Sequence, residues 1–190
     1  MRSAKNTCSW PGNDPLMQEY HDRQWGRPEH DDVKHFEAFV LDAFQAGLSW
    51  RTILHKRENF RKAFANFDFR KVAKFTTKDA MRLMHDKGIV RNRLKIFGTI
   101  ENAKKFLEIR KEFGTFDAYI WSFVAGKTIV HRHKAHSQIG TTSPEAIAAS
   151  KDLKKRGFKF IGPTIIYAYM QGVGMVDDHL VHCFRHAKHS

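Results

Sequence analysis

The chain has 190 residues, of which 42% are hydrophobic and 28% are charged, so its composition is typical of a globular protein and excludes a disordered or fibrous one. This length is sufficient for one domain with its own hydrophobic core. The net charge of +13 is unusual, because it favours a polyanionic partner and makes nucleic acid the first candidate.

Apolar periodicity predicts a chain of helices. Turn formers and aromatic residues in the first thirty positions indicate an ordered cap with short helices. Apolar residues at three- and four-residue spacing then predict a helix from Asp31 to Ala46 that stops at Gly47, and Ser49 is a suitable N-cap for the next helix. Further helices are predicted in segments 68–75, 76–86, 92–113, 116–124, 144–157 and 163–173, with a loop or short extended segment at 126–143. Segment 116–124 is apolar enough to be a buried strand instead, and its length does not distinguish the two, although helix is favoured. We therefore expect an all-α fold.

The predicted domain organisation is a single domain over residues 1–190, built from two helical lobes. Between Arg51 and Thr115 there are 18 Lys and Arg against 7 Asp and Glu, a surplus of 11 out of the total of 13. Solvated faces of ordinary amphipathic helices are one explanation for this excess. Its concentration in one segment favours a surface that contacts phosphates.

Within this basic segment, a candidate hairpin lies near residues 83–96, around Gly88. Two helices would flank a tight turn whose free backbone N–H groups bind a phosphate, while Arg91, Arg93 and Lys95 add positive charge. The alternative is a glycine that only separates two core helices. The second glycine usual in helix-hairpin-helix modules is a valine here, so the match is partial.

The two cysteines, Cys8 and Cys183, stand near opposite ends of the chain, which excludes the dense disulfide framework of small secreted domains. The N-terminal segment has no apolar stretch typical of signal peptides, and no segment approaches the roughly 18 apolar residues that span a bilayer. We therefore expect a cytoplasmic protein that makes no contact with a membrane.

Four residues near the two ends of the chain are of the types that bind zinc: Cys8, His21, His179 and Cys183. His179 and Cys183 are four residues apart, a spacing that places both on one face if this segment is helical. The alternative is an ordinary buried histidine. A zinc ion with four protein ligands has no open position for water, so its role would be structural, joining the N-terminal segment to the C-terminal one. The HxE and PCxxC signatures of zinc deaminases are absent.

Aromatic residues cluster around one carboxylate in the first fifty residues. Trp10, Tyr20, Trp25 and Trp50 surround Asp42 in the sequence, and Asp42 interrupts an otherwise apolar helix face. Rings of this kind stack on a planar ligand, and a carboxylate accepts hydrogen bonds from it. The alternative is that Asp42 simply faces solvent.

Long blocks of the chain, in this order, resemble the bacterial 3-methyladenine DNA glycosylase I family. The resemblance covers roughly Cys8 to Cys183, and its strongest stretches are CSWPGNDPLMQEYHDRQWGRPEHDD, QAGLSWRTILHKRENFRKAF, DKGIVRNRLKI, WSFV and LKKRGFKFIGPTIIYAYMQGVGMVDDH. It implies an all-helical member of the helix-hairpin-helix glycosylase superfamily. It also implies that the structural zinc of the family falls on the four residues named above.

The resemblance implies specific roles in the pocket. The carboxylate and the tyrosine that hydrogen-bond the flipped base fall on Asp42 and Tyr20, and the stacking tryptophan falls on Trp50. The family usually has glutamate at position 42, so the carboxylate of this chain is shorter by something over about 1 Å, the length of one methylene. As a hypothesis, Leu48 in the AGLSW turn fills the gap that the flipped base leaves in the duplex.

The activity implied is that of a monomeric, monofunctional glycosylase. It would bind double-stranded DNA with alkylated bases, flip the damaged base out, hydrolyse its N-glycosidic bond and release free 3-methyladenine. The shortened carboxylate leaves a second interpretation open, which is a zinc-stapled DNA-binding or damage-sensing protein without efficient excision.

Overall fold

The computed structural model describes residues 6–187 of the chain, which is mostly helical, as the sequence predicts. The α-helices in chain order are α1 (Pro15–Arg23), α2 (Asp32–Gln45), α3 (Trp50–Ala63), α4 (Phe69–Val72), α5 (Thr77–His85), α6 (Arg93–Phe113), α7 (Phe116–Trp121), α8 (Pro144–Lys155) and α9 (Pro163–Gly172). Short 3₁₀ turns occupy Ala65–Phe67, Ser122–Val124 and His136–Gln138, and two short strands are β1 (Ile129–Val130) and β2 (Val176–Asp177). Each predicted helix is present with a boundary close to the predicted one.

Local capping interactions explain why the helix starts are where the sequence predicts them. The carboxylate of Asp31 accepts hydrogen bonds from the N–H groups of Val33 and Lys34, and so begins α2. The hydroxyls of Ser49 and Ser143 do the same for the third residue of α3 and of α8. Each of these bonds spans only two or three residues, so the sequence alone contains the information that sets them.

Helix α2 lies at the centre of the fold, where it packs against α3, α6, α7 and α9. It buries Phe36, Phe39 and Phe44 almost completely. The ring of Phe36 meets that of Phe106 edge to face, and Phe106 in turn stacks on Phe116 with ring centroids 3.9 Å apart. Each such ring contributes about 2–3 kcal/mol by removal from water. Because α2 is enclosed on several sides, three of its polar residues, His35, Glu37 and Asp42, are also buried.

The first and last parts of the described chain lie beside each other. Strands β1 and β2 are parallel, with Ile129 opposite Val176. The N–H of Phe184 donates to the carbonyl of Asn6 at 2.9 Å, which joins the C-terminal segment to the start of the described chain. The predicted single domain and its two lobes include residues 1–5 and 188–190, which lie outside the described residues. None of the described helices is both long and apolar enough to cross a bilayer.

Candidate active site

A cavity of about 420 Å³ opens between α1, α2, α9 and the segment 136–141. Tyr20 enters it from α1, Asp42 from α2 and Trp50 from the first turn of α3, so three helices that pack together bring these residues to one place. The rings of Tyr20 and Trp50 lie 5.0 Å apart between centroids. Trp10 and Trp25 add two more rings to the wall. The structure therefore unites the predicted pocket residues, while their roles stay predictions.

The carboxyl group of Asp42 is buried rather than solvent-facing, with only 7% of the residue exposed. Among residues 6–187 it has neither a hydrogen bond nor an ion pair. Burial raises its pKa well above the ordinary value of 3.8, because removal from water penalises the charged form. The alternative that Asp42 simply faces solvent is thus wrong, since its neighbours Leu41 and Ala43 in α2 are buried as well.

Other polar groups at the cavity are also without partners in the described chain. The indole N–H groups of Trp10 and Trp50 and Nε2 of His136 are buried and make no hydrogen bond there. Burial raises the pKa of the Tyr20 hydroxyl, and the nearby Asp42 carboxyl adds to the effect. Buried groups of this kind are costly unless something bonds to them, so the cavity is suited to a planar ligand with donors and acceptors on its rim.

The cavity also contains residues that the sequence analysis missed. Tyr167 and Gln171 line it from α9, and His136 and Thr141 line it from the segment 126–143. The sequence contains no signal for the second pair, because their segment is irregular and its position depends on contacts with distant residues. In α9, the spacing of apolar residues indicates that the helix is buried, but it does not show which residues face the cavity and which face the core.

Beside the cavity, where His21 follows Tyr20 in α1, lies a group of residues whose side chains commonly bind metal ions. Ligand atoms of Cys8, His21 and Cys183 lie within 4.8 Å of one another, and all three residues are buried. The Sγ atom of Cys183 is 3.5 Å from Nε2 of His21. Backbone N–H groups of Leu180 and Arg185 donate to the sulfurs of Cys8 and Cys183, each at 3.5 Å. Such bonds favour thiolates, the form in which cysteine binds zinc.

His179 stands beside this group without belonging to it. Its ring centroid is 4.9 Å from that of His21, and its Nε2 is buried with no hydrogen-bond partner among the described residues. Its Nδ1 donates to Asp177 at 2.8 Å, as Nδ1 of His21 does to Asp22 at 2.7 Å. A carboxylate that orients the far nitrogen is typical of metal-bound histidines. The donor set therefore fits a tetrahedral zinc ion.

The segment that carries His179 and Cys183 is not helical, which corrects the expectation drawn from its four-residue spacing. Residues 180–186 form consecutive turns, in which the N–H of Cys183 donates to the carbonyl of Leu180. The close approach of His179 to α1 also requires a glycine. A Cβ at Gly26, where φ is +72°, would lie 2.7 Å from the His179 ring.

The candidate hairpin joins α5 to α6 through residues 86–92 and agrees only in part with its predicted role. The N–H of Gly88 is already bonded to the Asp86 carboxylate at 2.7 Å, so it is not free for a phosphate. Arg91 and Arg93 are exposed, as a phosphate contact requires.

Lys95 does not have the predicted position on the surface. It is buried, and its ammonium group donates to the carbonyls of Phe44 and Ala46 at 2.8 and 2.6 Å. The prediction that Lys95 contacts a phosphate is therefore wrong, because its ammonium group instead binds carbonyl groups at the C-terminal end of α2. Because Ala46 is the first residue of AGLSW, this bond from Lys95 makes the hairpin and the AGLSW turn neighbours. Leu48 in that turn is 43% exposed.

Comparisons with known proteins identify the family. The sequence profile described as methyladenine glycosylase matches residues 10–186. The chain is 46% identical to DNA-3-methyladenine glycosylase of Haemophilus influenzae over 93% of this chain and 95% of that one, and 47% identical to DNA-3-methyladenine glycosylase 1 of Escherichia coli over 93% and 94%. A structure solved for the basis of 3-methyladenine recognition, that of 3-methyladenine DNA glycosylase I from Staphylococcus aureus, superposes with a TM-score of 0.94 at 37% identity, over 99% of this chain and all of that one. This chain belongs to the methyladenine glycosylase family.

Proposed function

We propose that this protein is a monofunctional DNA glycosylase that excises 3-methyladenine from alkylated double-stranded DNA. The observation that carries the proposal is the cavity in which Tyr20, Asp42 and Trp50 converge, in a chain of this family. A flipped purine would stack on Trp50, while Tyr20 and Asp42 bond to its edge. A relative with a TM-score of 0.93 has been solved in complex with 3-methyladenine, which supports this choice of base.

The chemistry follows from the charge of the lesion. A 3-methylated adenine in DNA is cationic, so when its N-glycosidic bond breaks, the base takes the electron pair and departs neutral. Water adds to the sugar carbon and releases its proton to solvent. Protonation of the leaving group by a strong acid is therefore not needed, in accordance with the absence of an aspartate from Gly88 through Thr115.

Asp42 is the one carboxyl group that lines the cavity among the described residues. Burial raises its pKa and so favours the neutral form, whereas a cationic base beside it would favour the charged form. The proposed role is thus to bind and stabilise the extruded base. Most of the free energy for extrusion would come from stacking and hydrogen bonds in the cavity, since unstacking costs a few kcal/mol and costs least for a damaged base.

The proposed DNA contacts lie on the face shared by the hairpin and the AGLSW turn. Arg91 and Arg93 would bind backbone phosphates without reading sequence. Leu48, an exposed apolar side chain close to the cavity along the chain, would enter the space that the base vacates. The hydrogen bond from Lys95 to the carbonyl of Ala46 fixes the hairpin relative to that turn.

A structural zinc ion would be held by Cys8, His21, His179 and Cys183. When bound, it would supply a cross-link between the two ends of the chain and no step of the reaction. The proposal rests on the buried sulfurs, on their N–H donors and on the unpartnered Nε2 of His179. We further propose that the protein acts as a cytoplasmic monomer.

The experiment that tests the function is a released-base assay. Methylated duplex DNA is incubated with the protein, free bases are separated by chromatography, and the zinc content of the same preparation is measured. Release of 3-methyladenine over several turnovers is expected. We also expect about one zinc ion per chain, bound by Cys8, His21, His179 and Cys183, which are called the Cys–His group below. Binding to the DNA without any released base would instead support the damage-sensing alternative.

A further inference from the structure

A second group of residues of metal-binding types shares no member with the four proposed zinc ligands or with the lining of the cavity. It consists of His131, His133 and Asp178, whose ligand atoms all lie within 4.8 Å of one another. Nδ1 of His131 is 2.6 Å from Oδ1 of Asp178, and Nε2 of His133 is 3.2 Å from the same oxygen. One carboxylate oxygen therefore faces two imidazoles.

The backbone explains this convergence. The N–H of His131 donates to the carbonyl of Asp177 at 3.0 Å, and the carbonyl of His133 accepts from Val181 at 2.9 Å, so the two segments run side by side. Side chains two residues apart in an extended segment point to the same side. Both imidazoles therefore lie on one side of their segment, where the side chain of Asp178 from the neighbouring segment meets them.

The carboxylate of Asp178 is completely buried and lacks a permanent positive partner. Its Oδ2 accepts hydrogen bonds from two neutral donors, the hydroxyl of Tyr167 at 2.7 Å and the amide of Gln171 at 2.6 Å. Among residues 6–187, no Lys or Arg forms an ion pair with it. A buried carboxylate needs a compensating positive charge, and here that charge must come from the side of the two histidines.

The orientation of His133 favours a metal ion over a simple hydrogen-bond network. Its Nε2 is buried and forms no hydrogen bond within the described chain, although an oxygen of Asp178 is only 3.2 Å away. The nitrogen is therefore not aimed at that oxygen. Nδ1 of His131 does donate to Oδ1 of Asp178, at 2.6 Å, and a bound ion would replace that proton. Nε2 of His133, which lies close to the same oxygen without bonding to it, is the nitrogen left for an ion.

We propose that Nδ1 of His131, Nε2 of His133 and Oδ1 of Asp178 bind a divalent transition-metal ion. Two imidazoles and one carboxylate suit zinc, nickel, copper or iron, whereas calcium and magnesium prefer oxygen ligands. The two histidine side chains are 34% and 20% exposed, so the ion has access from solvent and completes its coordination with water. Nothing in this site depends on the proposed glycosylase activity.

Occupation of this site would stabilise the wall of the cavity. The ion would tie the segment 126–143, which contributes His136 and Thr141 to the wall, to Asp178. The other oxygen of Asp178 already holds Tyr167 and Gln171, which line the cavity from α9. The expected physical effect is slower amide hydrogen exchange in residues 129–141 when the ion is bound.

The test uses the full-length, untagged protein as purified, without chelator, so that metal at the Cys–His group is retained. Ni²⁺ is titrated by calorimetry into wild type, into the His131→Gln/His133→Gln variant and into a matched His30→Gln/His55→Gln variant. The control removes two histidines that pair with separate carboxylates, those of Asp117 and Asp14. Hydrogen exchange is followed on the same samples with and without Ni²⁺.

Wild type and the control are expected to bind about one Ni²⁺ per chain more than the His131→Gln/His133→Gln variant, and only they should gain protection in residues 129–141. Circular dichroism establishes that each variant is folded. If the double variant does not fold, the single His133→Gln variant takes its place with the same expected loss. Equal binding by all proteins, which would mean an adventitious ion only, overturns the proposal, and so does the absence of binding to wild type.

Discussion

Asp42 belongs to an uninterrupted run of buried residues, Phe39–Phe44, in the middle of α2. The sequence marks this residue, because a carboxylate interrupts an apolar pattern there. It could not show that the side chain is enclosed, since α2 packs against other helices on several sides and no helical period separates a core face from a solvent face.

Burial of Asp42 predicts a specific pH dependence of stability. Its pKa is raised in the folded state, so between the unfolded value near 3.8 and the folded value the folded protein binds more protons than the unfolded chain. The Asp42 contribution to stability is therefore present in acid and is lost as pH rises through that interval.

The variant Asp42→Asn has no carboxyl group at this position, so it should not lose stability from this group as pH rises. We expect it to be more stable than wild type at neutral pH by roughly 1 kcal/mol, as is common for substitutions that relieve a strained functional site. Thermal melts from pH 4 to pH 8 measure this, and the difference in Tm should widen as pH rises. A constant difference across that range would mean that Asp42 does not titrate as described.

The same residue should control base affinity. Asp42→Asn cannot acquire the negative charge that favours the cationic lesion in DNA, and its amide is a weaker hydrogen-bond acceptor than a carboxylate for the neutral free base. We therefore expect slower excision and weaker binding of free 3-methyladenine, each by about tenfold, equivalent to one charge-assisted hydrogen bond. Asp42→Glu extends the carboxylate by one methylene and should raise both. Quenching of tryptophan fluorescence measures the binding. Unchanged binding and excision in both variants would remove Asp42 from the site.

At the scale of helices and turns, the sequence predicts the features that depend on local interactions and misses those that depend on residues far away in the chain. The caps at Asp31, Ser49 and Ser143 act within two or three residues, and their helices begin as predicted. Lys95 is different, because its carbonyl partners at Phe44 and Ala46 are about fifty residues away in the chain. The turns after His179 likewise depend on contacts with the N-terminal segment.

A paired substitution tests the different roles of two neighbouring cations in α6. Lys95→Met leaves the carbonyls of Phe44 and Ala46 without their donor and should cost about 1–3 kcal/mol of stability. The salt dependence of DNA binding should not change in this variant. Arg93→Ala should leave the Tm nearly unchanged and lower the salt slope by about 1, because one phosphate contact is lost.

Thermal melts and DNA-binding titrations at several salt concentrations, carried out on both variants, provide the comparison. Arg91→Ala is a second member of the exposed class and should behave like Arg93→Ala. A reduced salt slope in Lys95→Met with an unchanged Tm would reverse the assignment of these two residues.

At the scale of the whole molecule, the Cys–His group closes a very long loop, since His21 and Cys183 are 162 residues apart. Removal of zinc with a strong chelator should therefore lower the free energy of unfolding by about 4 kcal/mol, the order calculated for cross-links over loops of about 100 residues. The helical core does not contain these ligands, so the chain should remain folded at room temperature. Calorimetry with and without chelator, together with metal analysis, measures the effect, and an unchanged Tm would argue against a structural ion.

The sequence places the four ligand types at the two ends, but only the folded chain shows that Cys8, His21 and Cys183 meet, because no local pattern links them. The cavity is similar in this respect. Its residues come from α1, α2, α3, α9 and an irregular segment, so it becomes visible from the sequence only through the resemblance to a family. Composition and charge alone indicate a polyanionic partner and go no further.

The most direct test of the account is a crystal structure of this protein with 3-methyladenine. The account predicts that the purine ring stacks on Trp50 in the cavity and that its edge bonds to Tyr20 and to Asp42, directly or through one water that compensates for the shorter carboxylate. A base bound elsewhere, or a cavity that stays empty at saturating 3-methyladenine, would contradict it.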